Sequence, residues 1–241
     1  MAPNKNPSKK SKPLKRKSNK VLFLAIGIVA IVLIGIGAYL LLGQSANQPN
    51  TSPTPTPSQS PSASQTPSPT TNDPSYVNPT KVLLQTSVGN ITLELRSDKP
   101  ITTSNFINLV QQGKYDGSVF HRVIAGFMIQ GGAISGTTPT IADEIGSNNR
   151  NVAYTIAMAK TSDPNSATSQ FFINVADNGN IPIDQAGTKF DTVYAVFGKV
   201  VEGQNIVNAI ANAQVTDNPY THEPNSYPIS PVTLTKAAII S

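Results

Sequence analysis

Four regimes of hydrophobicity follow one another along the chain. Residues 1–20 hold almost no large apolar side chain, Val21–Leu42 is apolar throughout, residues 43–80 are polar, and from residue 81 short apolar runs alternate with turn residues. Alternation over Lys81-Val-Leu-Leu-Gln-Thr-Ser and over Ile91-Thr-Leu-Glu-Leu-Arg96, around the turn signal Val88-Gly89-Asn90, predicts a β-hairpin. Pro100 opens a segment with Phe106, Leu109 and Val110 at helical spacing, closed by Gly113, which predicts a helix. Further strands are expected near 118–124, 126–131, 153–159, 170–175, 193–201 and 231–240. A second helix is expected near 203–212, after Glu202-Gly203, with Ile206, Val207 and Ile210 on its apolar face. Eight strands and two helices in about 160 residues predict a mainly β domain, a closed eight-stranded antiparallel barrel capped by the two helices. Such a barrel buries a full core and exposes no sheet edge.

The apolar run near the N-terminus changes the picture for the whole chain. Val21–Leu42 is 22 residues without a charge. At a rise of ~1.5 Å per residue it would span roughly 33 Å as a helix, enough to cross a hydrocarbon core of about 30 Å. The alternative, a cleaved secretory signal, usually has an apolar region of only ~7–15 residues, so an uncleaved single-pass anchor is expected. Ahead of it, residues 1–20 carry eight Lys or Arg and no acid, which places the N-terminus in the cytoplasm and everything after residue 43 outside. Residues 43–80 are Pro-, Ser- and Thr-rich with almost nothing apolar to bury, so they predict a disordered linker that favours extended conformations. The predicted organisation is a basic cytoplasmic tail (1–20), a transmembrane helix (21–42), the linker (43–80) and a globular domain (81–241).

Charge follows the same division. The chain carries +5, but without the eight N-terminal cations 10 Lys and Arg remain against 13 Asp and Glu. The domain is therefore slightly acidic and no nucleic-acid partner is expected; the basic tail suits anionic lipid head groups instead. With no cysteine, disulfides, thiolate nucleophiles, Cys zinc sites and a lipidated Cys are excluded.

Candidate chemistry concentrates in FHRVIAGFMIQGG (Phe120–Gly132) and AMAKTSDPNSATSQFFINV (Ala157–Val175). Arg122, Gln130 and Gln170 are long polar side chains set among large apolar ones, the composition of a greasy pocket with a few fixed hydrogen-bonding groups. Phe120-His121-Arg122, Gly126-Phe127-Met128-Ile129-Gln130-Gly131-Gly132 and Ser169-Gln170-Phe171-Phe172 together resemble the signature of the cyclophilin-type peptidyl-prolyl cis/trans isomerases, nearest to the bacterial branch. The resemblance extends from about Lys81 to Ile240.

That resemblance implies an isomerase acting on proline-containing polypeptides, and here assisting the folding of extracytoplasmic proteins. Rotation of the prolyl amide faces a barrier of ~18–20 kcal/mol, because the nitrogen lone pair is shared with the carbonyl. A permanently charged, planar guanidinium aimed at that nitrogen localises the lone pair, and a dry pocket strengthens the pull. Lowering the barrier by ~5 kcal/mol would speed rotation several thousand-fold. No metal, cofactor or general base is needed, and none is expected.

By the same resemblance Arg122 is the catalytic guanidinium, and Phe127, Met128 and Phe172 line the proline pocket. Gln130 hydrogen-bonds a substrate carbonyl, Ala159 and Lys160 offer backbone to the extended peptide, Gln170 orients Arg122 or the peptide, and Ile183 and Tyr194 complete the walls. Phe171 reads as core, His121 as a packed strand residue and His222 as inert. The chain departs from the family's pattern at four places. Lys160 stands where many members have Asn, Tyr194 where eukaryotic relatives often have His, Ala133 where Asp is common, and Pro182 where a rim aromatic is usual. The last puts binding of the macrocyclic inhibitor cyclosporin in doubt. The expected state is monomeric.

Overall fold

The computed structural model describes residues 74–76 and 78–240. Its elements are β1 (Lys81–Thr86), β2 (Gly89–Leu95), α1 (Pro100–Gln111), β3 (Ser118–Val119), β4 (Arg122–Ile124), β5 (Met128–Gly131), β6 (Thr155–Met158), β7 (Phe171–Asn174), β8 (Val196–Glu202), α2 (Gln204–Ala211), β9 (Val215–Thr216), β10 (Tyr227–Pro228) and β11 (Thr233–Ile240). Among the described residues no helix is long and apolar enough to cross a membrane. The expected basic tail, the anchor Val21–Leu42 and the linker up to residue 73 lie outside the described residues.

Nine strands make one sheet in the order β3-β11-β1-β2-β8-β6-β7-β5-β4, and every pairing is antiparallel. The two outermost strands are consecutive in the chain. β3 pairs with β11 through Val119↔Thr233, and β4 pairs with β5 through Arg122↔Gln130. The expected closed barrel is therefore a curled sheet whose two ends belong to one stretch of backbone, 118–124. That stretch, expected as one strand, divides where it changes partner: the Phe120 N–H donates to the Val232 carbonyl and the His121 N–H to that of Gln130, both at 3.0 Å. Counting 118–124 once leaves the eight segments that alternation predicts. The β9–β10 hairpin was not expected, because two-residue strands carry too little alternation to be read.

Strand period sorts the core. In β1, Val82 and Leu84 are buried while Lys81, Leu83 and Gln85 are not. The centre is aromatic: Phe106 of α1 stands between Tyr115, Phe171 and Phe197, with ring centroids 5.1–5.6 Å apart. Pro100 begins α1, where its missing N–H costs nothing. The Glu144 carboxylate then accepts from the Ile101 and Thr102 amides at 3.1 and 2.7 Å, so a distant acid satisfies and neutralises the positive end of this helix.

Folded structure begins ahead of residue 81. Pro74–Tyr76 forms a short 3-10 turn. The Ser75 carbonyl accepts from the Ser97 amide at 2.9 Å, its hydroxyl accepts from Arg96 and Asn148, and the Lys199 ammonium lies 4.0 Å from the Tyr76 ring centre. These contacts tie the end of the expected linker to the domain.

Candidate active site

In β4, β5 and β7 successive side chains go to opposite faces. Val123, Ile129, Phe171 and Ile173 join the main core, whereas Met128 and Phe172 join a second apolar cluster with Ala157, Phe190, Tyr194 and Val196. The register sets Arg122 opposite Gln130 and Gln130 opposite Phe172. One row across three strands thus carries a guanidinium, an amide and an aromatic ring. β5 ends at Gly131, and Gly132 follows with φ +73°; a Cβ there would stand 2.7 Å from the Phe171 ring. Only glycine lets the chain turn this close to the core.

The row borders a cavity of about 490 Å³, within the usual range for small-ligand sites. Its apolar side is built by Phe127, Met128, Phe172, Phe190 and Tyr194. Phe190 meets Phe127 and Phe172 edge-on at 5.6 Å, and Phe172 meets Tyr194 edge-on at 5.5 Å, arrangements that hold rings in fixed positions. Arg122, Gln130, Gln170 and His121 supply the polar side. The Gln130 Nε2 donates to Gln170 Oε1 at 2.9 Å, and Arg122 Nη1 lies 3.4 Å from Gln130 Oε1 and 3.5 Å from Met128 Sδ. The opposite edge of the guanidinium is committed: Nε and Nη2 donate to the two carboxylate oxygens of Glu223 at 2.6 and 2.7 Å. The Glu223 side chain is 2% exposed and that of Arg122 16%.

A network of carboxamides carries the wall. Asn149 Nδ2 donates to the Asp191 and Tyr194 carbonyls at 2.6 and 2.8 Å, and Asn178 Nδ2 to the Phe127 carbonyl at 2.7 Å. The backbone carbonyls of Phe127, Asp191 and Tyr194 are thereby held by side-chain amides rather than left to packing alone.

Of the residues singled out in the sequence, Arg122, Phe127, Met128, Gln130, Ala159, Lys160, Gln170, Phe172 and Tyr194 all line this one cavity. Ile183 does not; it packs, partly buried, against the cluster around Met128 and Phe172, and the wall residue contributed by this part of the chain is Phe190. Ala159 has its N–H committed to the Gln170 carbonyl at 2.9 Å, so of its own backbone groups only the carbonyl could serve a peptide. Lys160 is pinned by Asp143 at 2.6 Å with 7% of its side chain exposed. Sequence reasoning missed Phe190 and the whole contribution of the β9–β10 loop: Asn218, Tyr220 and Thr221 line the cavity, and Glu223 grips Arg122. For Glu223 no local signal exists, since it lies 101 residues from its partner.

Burial lowers the His121 imidazole below its ordinary value, and burial raises the Tyr194 phenol above its own. Among the described residues no group of three or more His, Cys, Asp or Glu side chains is gathered as a metal site would require.

Residues 81–238 match the family described as Cyclophilin type peptidyl-prolyl cis-trans isomerase/CLD. The chain is 45% identical over 170 residues to peptidyl-prolyl cis-trans isomerase A of Dickeya dadantii, covering 67% of this chain and 85% of that protein. It is 44% identical over 166 residues to the isomerase cyp18 of Streptomyces antibioticus, covering 66% and 98%. A crystal structure of a cyclophilin type peptidyl-prolyl cis-trans isomerase from Cryptosporidium parvum superposes with a TM-score of 0.57 at 27% identity, covering 67% of this chain and 98% of that one; the same protein has been crystallised in the presence of the dipeptide Ala-Pro, with a TM-score of 0.56. The curled antiparallel sheet, the aromatic pocket beside a guanidinium and a family match over more than half of the chain lead to one conclusion: the chain belongs to the cyclophilin-type peptidyl-prolyl cis-trans isomerases and is an enzyme of that activity.

Proposed function

We propose that Arg122 supplies the catalytic charge, and that the domain works outside the cytoplasm, tethered to the membrane, on proline-containing chains still folding there. The observation that carries the first part is a guanidinium with one edge bound and the other beside a mainly apolar cavity. A pyrrolidine ring held against Phe127, Met128 and Phe172 brings its nitrogen toward Nη1, while the paired amides of Gln130 and Gln170 meet a substrate carbonyl. With water excluded, the charge acts on the twisted amide in a medium that screens it weakly.

No proton transfer belongs to this mechanism, so pH tests it. Lowering His121 and raising Tyr194 move both groups away from the window between about pH 6.5 and 9. The isomerisation step should be flat across that window. An inflection near the ordinary histidine value that disappears in His121→Gln would put His121 into the chemistry. Stability should respond instead: below the ordinary histidine value the unfolded chain takes up the proton first, so stability is full above it and declines as pH falls toward the lowered value.

The second part rests on the basic tail, the 22-residue apolar run and the polar linker. A tether confines the enzyme to chains emerging near the bilayer and raises its local concentration there without any new contact. Protease added to intact, wall-stripped cells should cut within residues 44–73 and release an active domain, leaving the N-terminal stub in the membrane pellet. Protection until lysis would reverse the orientation, and free domain in the medium would make Val21–Leu42 a cleaved signal.

A further inference from the structure

We infer that Glu223 is the positioning residue of this site. It holds the Arg122 guanidinium by its Nε–Nη2 edge, so that the Nη1 side, which makes only long contacts to Gln130 and Met128, is the part turned to the substrate. The inference rests on the reading of Arg122 as the catalytic cation and adds the group through which its direction is set.

Arginine has several side-chain torsions, and a guanidinium in a half-open cavity could take several orientations. Two parallel N–H donors on one carboxylate, at 2.6 and 2.7 Å, fix the plane of the group as well as its distance. The backbone that bears the carboxylate is itself held. The Glu223 carbonyl accepts from the Asn218 amide at 2.8 Å and from the Ser226 hydroxyl at 3.2 Å. The Ser226 carbonyl in turn accepts at 2.8 Å from the amide of Val123, the residue after Arg122. Backbone therefore locks the loop that bears the carboxylate to the strand that bears the guanidinium.

A carboxylate beside the guanidinium cancels part of its charge. Coulomb energy falls with distance, and a prolyl nitrogen on the Nη1 side is closer to the guanidinium than to a carboxylate on the far edge, so the field reaching it stays positive. Fixed orientation then decides the sign, because misplacing a catalytic group by about 1 Å can cost ~100-fold in rate.

Double-mutant kinetics on the full-length protein test this, with a short peptide containing one X-Pro bond as substrate and exchange NMR as readout. Glu223→Gln keeps the shape and removes the charge and one acceptor. It should lower the turnover of bound peptide by ~10–100-fold while peptide affinity changes by less than about threefold. In the Arg122→Ala background the same change should cost nothing further. His222→Asn, an exposed change on the same loop, should leave turnover as it was. An Arg122→Ala protein with full activity would remove the reading on which the inference rests. An inactive Arg122→Ala beside a fully active or faster Glu223→Gln would overturn the role of Glu223 alone, as would a Glu223→Gln loss of equal size in both backgrounds, which is what a merely structural residue would give. A measurement on the parent protein covers the case of variants that do not fold: the Arg122 Nε–H signal should be shielded from exchange with water, and a freely exchanging, rotating guanidinium would also overturn the inference.

Discussion

Replacing Arg122 with Ala is expected to lower kcat/KM about a thousandfold, equivalent to about 4 kcal/mol of transition-state stabilisation. Sequence alone gives no reason to expect a stability cost, but the structure does. Glu223 is 2% exposed and would be left charged and without its two donors. Removing one member of a buried pair typically costs about 3–5 kcal/mol, a large part of the ~5–15 kcal/mol that holds a domain together. Arg122→Ala should therefore melt well below the parent, and its activity has to be read at low temperature. Arg122→Lys separates the two effects. An ammonium can still meet Glu223 as a point charge, so most of the stability should survive, whereas the planar fork is lost and turnover should fall by ~100-fold or more. Both variants compared by thermal melting and by peptide isomerisation decide the matter. A Lys variant as fast as the parent would mean that charge alone suffices, and the proposed geometry would be wrong.

The same pair shows what the sequence could and could not convey. Arg122, Gln130, Gln170 and Phe172 are legible because they are long polar or large aromatic residues inside short strands, where one-residue steps decide which face each occupies. The register of β4, β5 and β7 then gathers them as the motifs suggest. Glu223 is not legible. It sits in a loop between two strands of two residues each, and its partner is set by the path of the chain across the mouth of the site. Phe190 and Ile183 make the same point on the other wall. Both lie in the 177–192 segment, whose irregular backbone gives no period to read. There the Phe190 amide bonds to the Ile181 carbonyl at 3.0 Å, and Asn149 holds the Asp191 carbonyl at 2.6 Å. That turns Phe190 rather than Ile183 into the cavity. The curled sheet was legible as eight alternating segments, but the division of 118–124 was not, because a change of hydrogen-bond partner leaves no mark on hydrophobicity.

Phe171 and Phe172 are neighbours in sequence, and their replacement by Ala should have opposite consequences. Phe171 is fully buried and stands edge-on to Phe106, Tyr115 and Phe120 at 5.6, 5.5 and 6.2 Å. The backbone passes so close that a Cβ at Gly132 would meet the same ring at 2.7 Å, and the surrounding rings are themselves packed, so the site has little means of collapsing into the space left. Phe171→Ala should cost about 3–5 kcal/mol of stability, while the protein that remains folded keeps its pocket and most of its turnover per folded molecule. Phe172 belongs to the other face, against Phe190 and Tyr194, and it borders the cavity. Truncation there enlarges a space already open to solvent, so the loss of stability should be the smaller of the two. On the proposed reading of the pocket, a proline ring would lose a surface to rest on, and kcat/KM should drop by more than ~10-fold, mainly through weaker binding, as expected for removing one large apolar contact. Urea melts and isomerisation rates on the two variants test the assignment together. Equal stability losses, or an unimpaired Phe172→Ala enzyme, would mean that the alternation of β7 does not divide core from active site in the way its register requires.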